Sequence, residues 1–503
     1  MNLVSSQTSR SDRQRWAALA VVCLAQLMIV LDVTIVNVAL PSIQHDLHFS
    51  QANLTWVVNA FLVTFGSLLL LAGRLGDLAG RKRVFLAGLV TFTGASLLCG
   101  IAPSQAALIG ARFLQGVGAA AQASVILAII VTEFPEASER ARAMSAYVFV
   151  SVAGGSLGLL AGGLLTEALS WHWVFFVNLP IGVATFILGR RLIRADHGLG
   201  LEHGIDWTGS LLVTTSLMSA IYAIVEATTY GWTSTHVLGF GALSVVLMAA
   251  FLAVETRVRN PIMPMRILQL RGLINASVVR GFLVTGMYST FFLGSLYLEH
   301  VRHYSALQTG AAFLPWTITI AVLSQGITAR LVGRFGALPV LTGGMASAVV
   351  GLVLFSTVGP DTAFFPTIFF ACFALGLGIG SAFMPLLTLA MADVPAADSG
   401  LGSGITNVSQ QISGALGLAV LSTIAANHTK GLLSTHHGLT TSLIGGYHVA
   451  FLAGAATITA GIIVAFALLT PRRPRSSLRL AGVSDANGVD TDTHHFDIER
   501  EAA

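Results

Sequence analysis

Fourteen apolar segments of membrane-spanning length follow one another along this chain of 503 residues. They fall at 16–40, 54–72, 84–102, 106–131, 142–168, 173–193, 207–227, 237–254, 274–298, 310–329, 338–358, 364–390, 401–425 and 447–470, each bounded by Pro, Gly or a charge cluster. A helix needs about 20 mostly apolar residues to cross a bilayer, and inside lipid every backbone N–H and C=O must find its partner within the fold. An all-α, multi-pass membrane protein is therefore expected. Composition points the same way: 54% of residues are hydrophobic and 10% charged, against roughly 45–50% and 25% in soluble domains. The surplus of basic over acidic side chains, 27 against 23, is too small for a nucleic-acid surface. Cys23, Cys99 and Cys372 lie inside apolar runs and read as small buried hydrophobes.

Loop charge sets the orientation, because cytoplasmic loops carry the excess of Lys and Arg. Of the 27 basic residues, Arg302 and Lys430 fall in outer loops and Arg112 and Arg280 within spans, which leaves 23 for the cytoplasmic side. Both termini are then inside, in the plasma (inner) membrane, and the number of spans is even. The N-terminus, 1–15, carries Arg10, Arg13 and Arg15 and is cytoplasmic; the tail, 471–503, opens on Arg472, Arg473, Arg475 and Arg479 and reads as disordered near anionic headgroups.

An internal repeat organises the segments. Arg74, Leu75 and Gly80 after segment 2 recur as Arg330, Leu331 and Gly336 after segment 10, each 256 positions on, with Gly333 standing where the first copy has Asp77. The domains expected are a six-helix half over 16–193, two inserted helices with their loops over 194–272, and a second six-helix half over 273–470. Repeated halves with a site between them are the common plan of secondary transporters.

A GxxxxGK loop for ATP phosphates is absent, since the two lysines are Lys82 after Arg81 and Lys430 after Thr429. Gradients then drive transport unless another chain supplies an ATPase. Asp32 is the most telling residue, because a carboxylate inside a span costs several kcal/mol unless it faces a cavity or a partner. Its neighbours three and four positions away are Met28, Ile29, Ile35 and Val36, so its partner must come from another helix. Arg112 is the candidate: at 1.5 Å per residue the two lie at matching depths, roughly 9–14 Å below the outer surface. A static ion pair that fixes packing is the competing reading. If substrate or helix rocking separated the pair, Asp32 would gain by taking a proton, and proton and substrate would exclude each other. Arg280 and Glu299, toward the ends of segment 9, are expected to snorkel to the interfaces. The glycines of segment 5, Gly154, Gly155, Gly158, Gly162 and Gly163, leave one helix side nearly bare, for close packing or for gating. His428, His436, His437 and His448 match no metal-ligand spacing and read as a solvated loop.

Five ordered motifs resemble the major facilitator superfamily, and within it the fourteen-span drug:proton antiporters of the EmrB/QacA type. LDVTIVNVALP (Leu31 to Pro41) is similar to their span 1 signature, GRLGDLAGRKR (Gly73 to Arg83) to the loop after span 2, and LIGARFLQGVGAA (Leu108 to Ala120) to the span 4 motif, with Arg112, Gln115 and Gly116 in place. WHWVFFVNLPIG (Trp171 to Gly182) and SGLGSGITNVSQQISGALGLAV (Ser399 to Val420) also look like family segments. The resemblance covers nearly all of 16–470. It implies an alternating-access exporter in which Asp32 and Arg112 serve proton coupling, Gly73, Asp77, Gly80 and Arg81 a cytoplasmic gate, and Gly154, Gly158, Gly162 and Gly163 a hinge. Leu159 follows Gly158 where the family has proline, and His172 stands where it commonly has arginine.

The expected function is proton-driven export of small amphipathic organic compounds, with small-molecule substrate, protons and lipid bilayer as partners and with no cofactor or metal. A monomer is expected, to which accessory export proteins could be added. A proton-coupled or facilitative importer on the same fold is the first rival; a membrane-embedded sensor is the second, disfavoured by a tail too short and polar for a folded domain. A membrane enzyme is not expected, since the loops hold no nucleophile–base constellation.

Overall fold

A computed structural model describes residues 12–49, 51–196, 198–200, 206–258 and 261–469. The expected disordered tail, 471–503, and the first eleven residues of the expected cytoplasmic N-terminus, 1–15, lie outside the described residues. Among the described residues the chain is built of helices. In chain order the long ones are α1 (Asp12–Asp46), α2 (Trp56–Ala79), α3 (Arg81–Gly100), α4 (Gln105–Glu133), α5 (Ala137–Ala168), α6 (Trp173–Leu192), α7 (Trp207–Tyr230) and α8 (Thr235–Glu255). There follow α9 (Arg271–Val301), an interrupted α10 over residues 306–335, α11 (Ala337–Phe355), α12 (Phe364–Ala392), α13 (Ser399–Ser434) and α14 (Leu439–Leu469).

Twelve of these are straight enough, long enough and apolar enough to cross a membrane, and α5, bent by 41° between Ala137–Gly155 and Leu160–Ala168, makes up to thirteen. The bend occurs although no proline follows Gly158. The remaining expected segment, 310–329, is present as a broken helix. It opens with a capping box between Ser305 and Gln308, runs through Ala306–Ala312 and Leu314–Val322, and is interrupted at Leu323–Ile327, where Gly326 takes φ 91°. It resumes as Thr328–Phe335. The polar triplet Ser324, Gln325 and Gly326 inside the apolar run is the local cause, since a left-handed glycine cannot continue a right-handed helix.

Helix starts follow their sequences. The Ser104 hydroxyl accepts from the Ala107 N–H at 3.3 Å, Asp206 from Gly209 at 2.9 Å and Ser234 from Val237 at 3.3 Å, each satisfying an orphan donor of a first turn. The first helix already runs at Asp12, the first described residue, and ahead of the apolar run Arg15 pairs with Glu139 of α5 at 2.8 Å.

Placement follows burial. The apolar window of α4 is 78% buried and that of α8 17%, so α4 is central while α8 presents most of its surface outward. Helix α1 packs on α5 and α6, α2 on α4, α11 on α12, and α9 on α12, α13 and α14. Contacts between the first six helices and the last six run through α2 and α4 against α13, and through α5 against α10 and α12. Helix α8 packs on α7, and α7 touches both α2 and α13. The repeat read in the sequence has a backbone counterpart: Gly80 joins α2 to α3 with φ 98°, and Gly336 joins α10 to α11 with φ 87°.

Candidate functional site

Asp32 and Arg112 meet. They lie on α1 and α4, are 0% and 1% exposed, and pair Oδ2 to Nη1 at 2.5 Å. The rest of the site is neutral. Gln115, one turn along α4, donates from Nε2 to Asp32 Oδ1 at 2.7 Å and to Ser96 Oγ at 2.7 Å, while its Oε1 accepts from Arg112 at 2.6 Å. Asn178 of α6 donates to Asp32 Oδ1 at 3.2 Å, and Arg112 Nε donates to the Val57 carbonyl of α2 at 2.8 Å. The guanidinium also lies over the Phe61 ring at 4.6 Å. Four further donor–acceptor contacts, from α2, α4 and α6, thus converge on one buried ion pair between α1 and α4. Such a pair is tolerable in a low-dielectric interior because further neutral groups, Gln115, Asn178 and the Val57 carbonyl, also serve the two charges.

Two faces of α1 do different things. Asp32 points to α4, while the opposite side takes α5: a side-chain carbon added at Gly154 would stand 3.0 Å from Val30, at Gly158 3.1 Å from the Leu31 carbonyl, and at Gly162 2.9 Å from the Ile35 carbonyl. Gly154, Gly158 and Gly162 are therefore one stripe that lets two backbones touch; Gly163 is buried beside it. Gly155 faces away, toward Phe291 of α9. Gly116 fits the same logic on α4, since a carbon there would stand 2.7 Å from the Phe61 carbonyl of α2.

A second constellation closes one end of the bundle. Asp77, 3% exposed at the end of α2, accepts from the Gly400 N–H at 2.7 Å and the Leu401 N–H at 2.8 Å. Those are first-turn donors of α13, so the carboxylate caps a helix of the other half and meets the positive end of its dipole. The approach is tight enough that a side-chain carbon at Gly73 would stand 2.5 Å from the Gly400 carbonyl. Arg81 reaches Asp77 at 3.4 Å and Thr132 at 2.8 Å, and its backbone N–H donates to Asp196 at 2.8 Å. Gly80 is packed against Asp196 and turns the chain between α2 and α3.

Sequence reasoning missed Asp398. It is 1% exposed and bridges Arg266 at 2.7 Å and Arg74 at 3.8 Å, tying the loop before α9 and the end of α2 to the start of α13. An acidic residue just ahead of the glycine-rich stretch after Ser399 was the available signal. Asn178 was marked only by its place in the motif Trp171 to Gly182, and Ser96 gave no signal, because isolated neutral polar residues in apolar helices are common. Arg280 is a correction. It was expected to snorkel, yet it is 1% exposed and held inside the bundle by Thr406 and Gln410 of α13.

The chain matches the model of the Major Facilitator Superfamily over residues 22–418. It belongs to that superfamily. It is 38% identical to the puromycin resistance protein pur8 of Streptomyces alboniger, over 92% of each chain. It is 34% identical to the cephamycin export protein CmcT of Amycolatopsis lactamdurans, covering 86% of this chain and 91% of that one. The multidrug resistance protein Stp of Mycobacterium tuberculosis is 31% identical over 84% of this chain and 78% of that one. The fold is also that of the crystal structure of the human organic anion transporter MFSD10 (TETRAN), with a TM-score of 0.62 at 16% identity over 90% of this chain and 99% of that chain. The superfamily member described here is a multi-pass membrane transporter, and its relatives place it among efflux proteins.

Proposed function

We propose that the chain expels small amphipathic organic compounds in exchange for protons, with Asp32 as the proton-binding group and Arg112 as its alternating partner. The buried Asp32–Arg112 pair carries this reading. A proton arriving at Oδ2 would turn an acceptor into a donor facing the N–H of Arg112, so protonation and the 2.5 Å contact exclude one another. Arg112 keeps its bonds to Val57 and Gln115 when the carboxylate is neutralised, which lets it stay buried through the exchange. Movement of α1 away from α4 would press on the glycine stripe of α5, and α5 touches α10 and α12 of the other half. That is a mechanical route from proton site to interface. One proton crossing about 150 mV releases roughly 3.5 kcal/mol, enough for a substrate gradient of two to three orders of magnitude.

In the same reading, the end of the bundle at Asp77 is cytoplasmic. Gly73, Asp77, Gly80 and Arg81 form its gate together with Asp398, Arg74 and Arg266, and both termini lie on that side of the inner membrane. The halves are α1 to α6 and α9 to α14, with α7 and α8 inserted. The bias of Lys and Arg toward loops on that side supports the orientation, and the resistance and export proteins named above support drug-like cargo and outward direction. The test is Asp32→Asn in everted vesicles from a pump-deficient host, against a panel of compounds with and without an uncoupler. The expected result is a correctly inserted protein without uncoupler-sensitive transport; proton-driven efflux equal to the parent's would refute the assignment.

A further inference from the structure

Among the described residues, the second buried arginine has no counter-ion. Arg280 of α9 is 1% exposed, and among the described residues no carboxylate pairs with it. Its hydrogen-bond acceptors are the Thr406 carbonyl at 3.2 Å and the Gln410 side chain, both on α13, and its Nε is buried without a partner. The Phe383 ring of α12 lies 5.0 Å from the guanidinium. The titratable groups close enough to act on it electrostatically are the hydroxyls of Tyr288, on α9, and Tyr147, on α5 of the other half. Tyr288 is tied in turn to Gln410, whose Nε2 donates to its hydroxyl at 3.1 Å.

A guanidinium cannot shed its charge, and burying one without a carboxylate costs several kcal/mol that neutral acceptors only partly offset. An anion arriving there would supply the missing negative charge. Gln410 and Tyr288 are half-buried, so the polar groups that border the arginine head keep accessible surface, at a place where α5, α9 and α13 each contribute a side chain. The Phe383 ring and the side chains of Tyr288 and Tyr147 stand around it. That combination suits a molecule with a charged head and an apolar body.

We propose that Arg280, with Gln410 and Tyr288, forms an anion-recognising subsite that binds the carboxylate or phosphate head of an amphipathic organic anion. This deepens the export reading, because it gives the transported class a charge sign at one end. It uses a different cluster from Asp32 and Arg112, and binding can be read without transport.

The experiment uses the full-length protein in nanodiscs of zwitterionic lipid and follows thermal stabilisation by two probes with the same tail, dodecanoate and dodecyltrimethylammonium. Expected is saturable stabilisation by dodecanoate at a concentration about tenfold or more below that of the cationic probe, as a charge-assisted hydrogen bond would give. Arg280→Gln should abolish this preference, Arg280→Lys should retain part of it, and Tyr288→Phe should weaken it by a few fold. A parallel series doped with phosphatidylglycerol identifies the source: stabilisation by that lipid that is lost in Arg280→Gln, and that dodecanoate cannot add to, makes the anion a lipid headgroup. Equal response to both soluble probes with no lipid effect, or an anion preference unchanged in both Arg280→Gln and Arg280→Lys, overturns the proposal. Because no proton gradient is present, failure here leaves the Asp32 test untouched, and failure of that test leaves this one readable.

Discussion

Arg112 and Arg280 are both about 1% exposed, yet their surroundings are opposites. Arg112 has a carboxylate at 2.5 Å and a set of neutral donors and acceptors that complete it. Arg280 has a backbone carbonyl, a glutamine oxygen, a ring and an Nε without a partner. The first is a closed electrostatic unit that must be broken to do anything. The second is an open one that is completed only from outside. Burial alone therefore says little about what a charged residue is for; the count of matched groups around it says more.

Single substitutions can break that contrast or sharpen it. The largest effect is expected for Arg112→Ala, which strands Asp32 without its cation and should lower stability by about 3–5 kcal/mol, read as a fall in detergent-solubilised melting temperature and yield. Adding Asp32→Asn to Arg112→Gln should recover most of that stability without recovering uncoupler-sensitive transport, and its failure to do so would mean that the pair is not the unit lost. Next comes Gln115→Leu, which removes bonds to Asp32, Ser96 and Arg112 at once. A loss of about 1–3 kcal/mol is expected from the stranded acceptors and donors, measurable in the same melting experiment. Asp77→Ala should cost about 1 kcal/mol of helix capping, enough to shift the balance between open and closed ends about fivefold; spin labels on α2 and α13 would report it as a longer distance near Gly400. The smallest change is expected for Arg280→Met, which exchanges an unpaired buried charge for an apolar side chain. Melting within about 1 kcal/mol of the parent, or above it, is the expected outcome, and a drop like that of Arg112→Ala would erase the distinction.

Much of this was legible before any coordinates. Apolar runs located the helices, because lipid leaves the backbone no alternative. The meeting of Asp32 with Arg112 could be anticipated from depth alone, since two helices of opposite direction place residues at one level by simple counting. What could not be read has a common reason. Asn178, Ser96 and the partners of Gln115 are set by geometry between helices, and a single polar letter in an apolar run carries no angle. The fate of Arg280 turned on rotation about the α9 axis, which its position near a helix end did not specify. The interruption of α10 was visible only as Ser324, Gln325 and Gly326, three letters that a hydropathy count averages away.

The two copies of the loop repeat end in the same left-handed glycine, Gly80 and Gly336, but only the first carries the carboxylate that seizes a helix of the opposite half. At the matching position Gly333 a side-chain carbon would meet nothing within 4 Å. The two turns are thus alike in backbone and unlike in what holds them. In the gate proposed above, the bound carboxylate is a built-in default that favours the shape seen here. The opposite shape would own no such default and would be held by the cargo, so that resting and loaded states are told apart by occupancy rather than by the scaffold.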